Sequence, residues 1–129
     1  MAVNSRSKGA SAEREIALLM RECGYANARR SAQYCGNTGD APDVVGVDGL
    51  HIEVKRREQI QDEVFLQQAE REAKKGLVPI VMYRRSREKW KVCIRLDLFM
   101  LIWKELTDLQ RHNIAEKIKF MCSVDKIRK

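Results

Sequence analysis

Two acidic residues and a lysine in the first half of the chain have the types and the spacing for phosphate-ester chemistry. Glu53 and Lys55 are separated by one residue, so on a β-strand both side chains would project from the same face. Asp43 lies upstream, before a turn sequence. Two adjacent carboxylates offer the hard oxygen ligands that suit Mg²⁺ or Mn²⁺. A cation there would polarise a phosphodiester and lower the pKa of a bound water, while Lys55 would orient or deprotonate that water or stabilise the developing charge.

A β-hairpin would have to bring the two carboxylates together. Asp48-Gly49 is a turn sequence between two short apolar segments. A two-residue turn would pair Asp43 with Val54 and direct Asp43 away from Glu53. A three-residue loop, with Gly49 left-handed in a bulge, would instead pair Asp43 with Glu53.

The bulged register also separates apolar from polar side chains. One face would carry Val44, Leu50, Ile52 and Val54, and the other Asp43, Val45, His51, Glu53 and Lys55. Because a polar row opposite an apolar row is the better partition of a hairpin, we predict the bulged register. His51 is then interpreted as a surface histidine beside the site rather than as a base.

The Glu-x-Lys pattern is not specific by itself. The composition of the chain predicts about one such pattern by chance. Glu72-Ala73-Lys74 is a second example, which we interpret as solvated on a helix. The alternative interpretation of Glu53 and Lys55 is an exposed cross-strand ion pair, which would contribute about 0.2–1 kcal/mol.

The rest of the chain alternates helical and strand patterns. Apolar residues recur with helical spacing over residues 11–23, and Gly24 is a natural stop. The other predicted elements are a strand at 25–31, a loop at 34–42, a helix at 62–75 with Val64, Phe65, Ala69 and Ala73 on its inner face, strands at 78–83 and 90–96 around the basic turn 84–87, a helix at 97–106 capped by Asp97, and a helix at 107–121 that begins with a Thr107/Gln110 capping box. This order predicts a mixed α/β domain with a single sheet.

Composition limits the class of partner. The 129 residues suffice for one domain, and a net charge of +7 favours an anionic partner such as nucleic acid. The longest apolar run, residues 98–103, is too short to span a membrane, and the polar N-terminus does not resemble a secretory signal. We therefore expect a cytoplasmic protein that does not bind membranes. The cysteines lack metal-ligand spacing, and we expect mostly buried thiols at Cys23, Cys35, Cys93 and Cys122.

A set of short motifs gives the chain a resemblance to a known family. In order they are Lys8-Gly9, Glu13-Arg14, Pro42-Asp43, Glu53-Val54-Lys55 and Gln68-Ala69. With these motifs the chain resembles the PD-(D/E)XK nuclease superfamily, and more narrowly the phage and bacterial relatives of archaeal Holliday-junction resolvases. The resemblance implies a restriction-endonuclease-like α/β core of order α-β-β-β-α-β-β, with a single mixed sheet flanked by helices. We expect one nuclease domain over 1–129, with its core at about 5–96 and a C-terminal helical extension at 97–129.

The same resemblance implies roles for the residues of the first motif. Asp43 and Glu53 would ligate Mg²⁺, for which Mn²⁺ would substitute, and the backbone carbonyl of Val54 would be a third ligand. Lys55 would be the catalytic lysine.

Two helical residues would complete the implied site. Glu13 corresponds to a helix-borne acid that completes the metal site or holds its water, and Gln68 corresponds to a helix glutamine that faces the active site. Helical spacing places Gln68 on the inner face of its helix, where a buried glutamine needs hydrogen-bond partners that the site would supply. The alternative is a glutamine at the edge of the core.

Basic residues at strand ends and turns are candidates for binding DNA. They are Arg29, Arg30, Arg56, Arg57, Arg84, Arg85 and Arg87, together with Ser31. They would contact phosphates on either side of the scissile bond, with an affinity that falls steeply with salt. For each arginine alone, a solvated surface charge is the alternative. We find no base-reading helix in the sequence, so we expect recognition of DNA shape.

These features together predict a Mg²⁺-dependent DNA endonuclease that acts on branched DNA in a bacterium or a phage-infected cell. The alternatives are a repair or restriction-type nuclease of the same superfamily, an inactive DNA-binding module and an RNA-binding domain. The C-terminal segment departs from the resolvase pattern. Its apolar residues would either cover the sheet or form a homodimer interface, and they are Leu98, Phe99, Leu101, Ile102, Trp103 and Leu106.

Overall fold

The order of helices and strands agrees with the predicted order. A computed structural model describes residues 5–31 and 41–128, with side chains for 7–31 and 41–124. The elements are α1 Ser5–Glu22, β1 Arg29–Arg30, β2 Val44–Val45, β3 Leu50–Arg56, α2 Asp62–Glu72, β4 Val78–Arg84, β5 Lys91–Cys93, α3 Leu96–Glu105 and α4 Asp108–Arg128. The fold is therefore of the α/β class, with the α-β-β-β-α-β-β core and C-terminal helices expected from the sequence.

The five strands form one mixed sheet in the order β1-β2-β3-β4-β5. β3 and β4 are parallel, and the other neighbouring pairs are antiparallel. Because parallel strands need a crossover, α2 joins β3 to β4 across one face of the sheet. This unit makes β3 an interior strand, with β2 on one side and β4 on the other.

The hairpin between β2 and β3 adopts the bulged register. Val44 lies opposite Ile52, which is the same register as the predicted Asp43 to Glu53 pairing. The amide of Leu50 donates to the carbonyl of Val47 at 3.3 Å, and Gly49 has a φ of +85°. The left-handed glycine and the partition of side chains thus determine this register, as predicted.

Helices cover both faces of the sheet. The core on the α1 face contains Ile16, Val44, Ile52 and Ile80 among other residues. The core on the α2 face is built around Phe65, Leu66, Ala69 and Val81. The predicted polar face of the hairpin therefore lies under α2 instead of in water.

This second layer corrects the prediction for His51. The side chain of His51 is only 1% exposed and that of Glu53 only 2%. His51 is consequently a buried histidine, and the interpretation of it as a surface residue was wrong. Alternation along the hairpin identified the two faces, but it did not show that a helix covers the second.

Other differences from the predictions concern element ends and helix phase. α1 begins six residues earlier than predicted, and α2 ends three residues earlier. Val64 is exposed and Leu66 is buried, so α2 is rotated relative to the predicted inner face. Most of the predicted loop at 34–42, together with Cys35, lies outside the described residues. Cys23 and Cys122 are exposed thiols, contrary to the expected burial, whereas Cys93 is half-buried.

The chain divides into two compact units, Met1–Ile94 and Arg95–Lys129. In the second unit, Thr107 and Gln110 form the predicted capping box, with each side chain bonded to the other residue's backbone amide. Asp97 is not the cap of α3, because that helix begins at Leu96. Over the described residues, no helix is long and apolar enough to cross a membrane.

Gly46 offers a test of the hairpin geometry. It has a φ of +90°, and a Cβ there would lie 2.2 Å from the backbone oxygen of Asn27. Gly46→Ala should therefore lower the free energy of unfolding by about 2–5 kcal/mol, from backbone strain plus a backbone clash. Gly49→Ala is the matched control, since its φ is also positive but a Cβ meets nothing within 4 Å; its cost should be about 1–2 kcal/mol. Urea denaturation measures both, and equal costs would contradict the clash.

Candidate active site

Lys55 and Gln68 meet on the face of the sheet that α2 covers. The Lys55 Nζ donates to the Gln68 Oε1 at 2.9 Å and lies 5.5 Å from the centre of the Phe65 ring. Gln68 is half-buried, and α2 presents it toward the end of β3. The glutamine therefore fixes the position of the lysine, and the role of Gln68 in catalysis stays a prediction.

Asp43 lies at the point where the short strand β2 begins. Its Oδ2 accepts a hydrogen bond from the backbone amide of Val54 at 2.8 Å. The carboxylate of Asp43 thus accepts the hydrogen bond that a backbone carbonyl of a neighbouring strand would otherwise accept from β3. Since the amide and the carbonyl of one residue lie on the same side of a strand, the Val54 carbonyl is also directed to the Asp43 side.

Glu53 is the most deeply buried acid of this group. Burial, the neighbouring charge of Asp43, and a hydrogen bond and charge from Glu72 together raise the pKa of Glu53 to about 9. The imidazole Nε2 of His51 lies 3.0 Å from the Glu53 Oε1. Burial lowers the pKa of His51 despite the nearby charges of Glu72 and Asp43, so its neutral form is favoured.

Glu72 is the functional candidate that sequence reasoning missed. It is half-buried, and its Oε1 accepts a hydrogen bond from the Gln68 Nε2 at 3.2 Å. The interpretation of Glu72 as a solvated helix residue was wrong. The available signal was its spacing, because residues four apart on a helix share a face and Gln68 was already a candidate.

Glu13 approaches the same group of acids from α1. Its Oε2 accepts a hydrogen bond from the Arg30 Nε at 2.8 Å. Burial raises the pKa of Glu13, Asp43 adds to this effect, and Arg30 opposes it. The backbone amide of Ser31 donates to the Asp43 carbonyl at 3.0 Å. Arg30 and Ser31 therefore lie beside the acidic group, and Arg29 is exposed on the same short strand.

The remaining arginines gather where β3 and β4 end. Arg56 lies opposite Arg84 in the parallel register. Arg84 pairs with Glu15 at 3.2 Å and its guanidinium lies 5.1 Å from the Trp90 ring. Arg57, Arg85 and Arg87 are exposed close to this end in sequence. The basic candidates thus form two groups, one at β1 and one beyond Lys55.

The donor set of the site fits a divalent cation. Asp43 and Glu53 share a hydrogen bond and Glu13 acts electrostatically on Asp43, so three carboxylates lie close together. Burial is the first cause of the raised pKa values of Glu53 and Glu13, and the charge of Asp43 raises both further, so Asp43 repels each of the other two carboxylates. A cation would relieve that repulsion, and carboxylate and carbonyl oxygens are the ligands that Mg²⁺, Mn²⁺ and Ca²⁺ prefer. The structure therefore brings together Glu13, Asp43, Glu53, Val54, Lys55 and Gln68.

In a comparison with known proteins, one family model matches the chain. The family model described as "Phage putative PDDEXK endonuclease" matches residues 4–126, nearly the whole chain. No curated protein and no solved structure matches it.

The burial of Glu53 predicts how stability depends on pH without metal. Its pKa is higher in the folded protein than the usual value of 4.5, so the folded state binds the extra proton. The protonated Glu53 therefore makes its full contribution to the free energy of unfolding below pH 4.5. This contribution is lost as the pH rises to about 9. Glu53→Gln, which cannot ionise, should show a flatter decline over this range.

Urea denaturation in EDTA between pH 5 and pH 9 measures this difference. Glu105→Gln is the control, because Glu105 is an exposed acid of α3 and its substitution should leave the slope of the wild-type protein unchanged. Parallel pH profiles for the wild-type protein and Glu53→Gln would show that the Glu53 carboxyl titrates normally.

Proposed function

Because this chain belongs to the phage PDDEXK endonuclease family, we propose that it is a Mg²⁺-dependent endonuclease that hydrolyses phosphodiester bonds in DNA. The observation that carries this proposal is that Asp43 and Glu53 lie together beside the second half of β3, which also carries Lys55. Mn²⁺ would replace Mg²⁺, since both prefer oxygen ligands. The net charge of +7 supports a polyanionic substrate.

The proposed site assigns a different task to each group. Asp43, Glu53 and the Val54 carbonyl would hold the cation, and Glu13 would complete its surroundings. Bound Mg²⁺ would polarise the phosphate and lower the pKa of a bound water. Lys55, held by Gln68 at 2.9 Å, donates to the attacking water or to a non-bridging phosphate oxygen. The oxygen of water would bond to phosphorus as the bond from phosphorus to the 3′ oxygen breaks. The water would lose a proton to solvent and the 3′ oxygen would gain one from solvent, which leaves a 5′-phosphate and a 3′-hydroxyl.

We propose branched DNA as the preferred substrate. Basic residues lie on two sides of the acidic group, at Arg29 and Arg30 on β1 and at the arginines beyond Lys55. Such groups contact the phosphate backbone, which carries no direct sequence information. Two separate arginine groups would suit a substrate whose strands leave the site in different directions.

Lys55→Ala tests the catalytic assignment. The variant should lose cleavage of a labelled four-way junction by a factor of at least 10², because the positioned donor is gone, while DNA binding stays nearly intact. Lys104→Ala, an exposed lysine of α3, is the matched control and should cleave like the wild-type protein. Gel assays with Mg²⁺ or EDTA measure cleavage and binding. Equal loss of both would make Lys55 a binding or structural residue.

The same assay on the matching linear duplex tests the substrate. Mg²⁺-dependent cuts in the junction alone support the branched-DNA proposal. Cleavage of both DNAs would retain the nuclease and contradict the junction preference. Binding without cleavage under either metal would leave a DNA-binding module and contradict the catalytic assignment.

Arg57→Ala tests the basic group at the end of β3. Arg57 is exposed, and its backbone amide bonds to the Arg84 carbonyl, so the side chain can be removed without disturbing the sheet. A phosphate contact predicts a salt slope of log K against log[salt] that is shallower by about 1. Arg71→Ala, an exposed arginine of α2, should retain the wild-type slope. Fluorescence anisotropy at several salt concentrations measures both, and identical slopes would exclude the Arg57 contact.

A further inference from the structure

A second group of metal-ligating atoms adjoins the proposed catalytic site. His51, Glu53 and Glu72 each offer one ligand atom, and these atoms lie within 4.8 Å of one another. β3 supplies His51 and Glu53 on one face, and α2 supplies Glu72 from above. The resemblance of the chain to PD-(D/E)XK nucleases assigns no role to His51 or Glu72.

The charges around Glu53 leave this group without compensation. The charges that act on the buried Glu53 carboxyl come from Asp43 and Glu72, which are both acidic. The Nε2 of the His51 ring lies 3.0 Å from the Glu53 Oε1. Acidic side chains and an imidazole nitrogen placed so closely in a buried position are a ligand set that suits a cation.

His51 supplies an independent observation that points to a ligand. The ring is 1% exposed, yet its Nδ1 has no hydrogen-bond partner among the described residues. Buried polar atoms usually have a partner, and a metal-bound imidazole usually gives its other nitrogen to water or to an oxygen acceptor. A cavity of about 490 Å³ is lined by His51 together with Val47, Leu50 and Lys74. This cavity has room for such a water.

We propose that His51, Glu53 and Glu72 form a second divalent-cation position, which shares Glu53 with the Asp43 position and takes a transition metal such as Zn²⁺ or Mn²⁺ in preference to Mg²⁺. The imidazole sets this preference, because nitrogen ligands suit transition metals whereas Mg²⁺ takes oxygen ligands. Glu53 can serve both positions, since a carboxylate has two oxygens and about four lone-pair sites. The inference extends the proposed function, but its test needs no DNA.

Zn²⁺ alone, added to the metal-free full chain, is the probe. The chain has two histidines, so ¹⁵N NMR shows two imidazole rings, and His112→Gln identifies the His51 signal without altering the core. The expected result is a shift of a His51 ring nitrogen on addition of Zn²⁺, and Mg²⁺ in large excess should not reverse it. An unchanged His51 ring, or complete displacement by Mg²⁺, would overturn the proposal.

Three substitutions distinguish the second position from the first. Glu72→Gln keeps its size and should weaken Zn²⁺ binding at His51 by at least tenfold, whereas Glu70→Gln on the exposed side of α2 should not. Asp43→Asn should retain the His51 shift, because Asp43 belongs to the other position. Thermal unfolding in EDTA verifies that each variant is folded.

Each remaining outcome decides between one position and two. Equal Zn²⁺ affinity in Glu72→Gln and the wild-type protein would overturn the assignment of Glu72. Loss of the His51 shift in Asp43→Asn would mean a single shared position, which also overturns the proposal. Failure of the wild-type protein to cleave DNA would overturn the proposed function and leave the His51 result standing.

Discussion

A carboxylate on an interior strand, covered on its own face by a helix, is the constraint on which the site depends. Glu53 is 2% exposed, and every group around it must accommodate either its charge or its proton. The cost of charging a buried acid without a compensating partner is large. The raised pKa of Glu53, the lowered pKa of His51 and the closeness of Asp43 and Glu72 therefore depend on one another. A bound cation would compensate the acids by placing positive charge among them.

The parallel β3–α2–β4 unit buries Glu53 and leaves the end of β3 at Lys55 only half-buried. α2 covers β3 with Phe65, Leu66 and Ala69, and then presents Gln68 and Glu72 as polar residues of the same helix. Lys55 lies one step beyond the covered part, where it remains half-buried. The helix thus separates a buried half of β3, around Glu53, from a half-exposed end at Lys55.

Local patterns predicted the parts of the fold that depend on neighbouring residues. The register of the hairpin followed from Gly49 and from alternation, and the capping box followed from Thr107 and Gln110. The pairing of Asp43 with Glu53 followed in turn from the register. Family membership and the α/β class were likewise within reach of short motifs in their order along the chain.

Long-range packing decided what the sequence could not predict. The solvent exposure of the second face of the hairpin depends on the placement of α2, and no local sequence pattern predicts that placement. His51 was consequently assigned to the surface and Glu72 to solvent. The phase of α2 was also misjudged, since Val64 is exposed and Leu66 is buried. An apolar stripe defines a helix face only to within a residue or so when polar side chains such as Gln68 are also directed inward.

Arg56 and Arg84, the last residues of β3 and β4, affect the stability of the free protein. Arg56 and Arg84 are paired directly across the two strands, and like charges so placed repel each other. Two acids act on this pair. Burial raises the pKa of Glu15, but hydrogen bonds from Trp90 and Arg84 and the charges of Arg84 and Arg56 lower it overall, and the charge of Arg56 also helps to lower the pKa of Glu58. These acids offset part of the repulsion between the two guanidinium groups. Any polyanion that binds this end relieves the repulsion, so ligand binding and resistance to unfolding are linked at these two side chains.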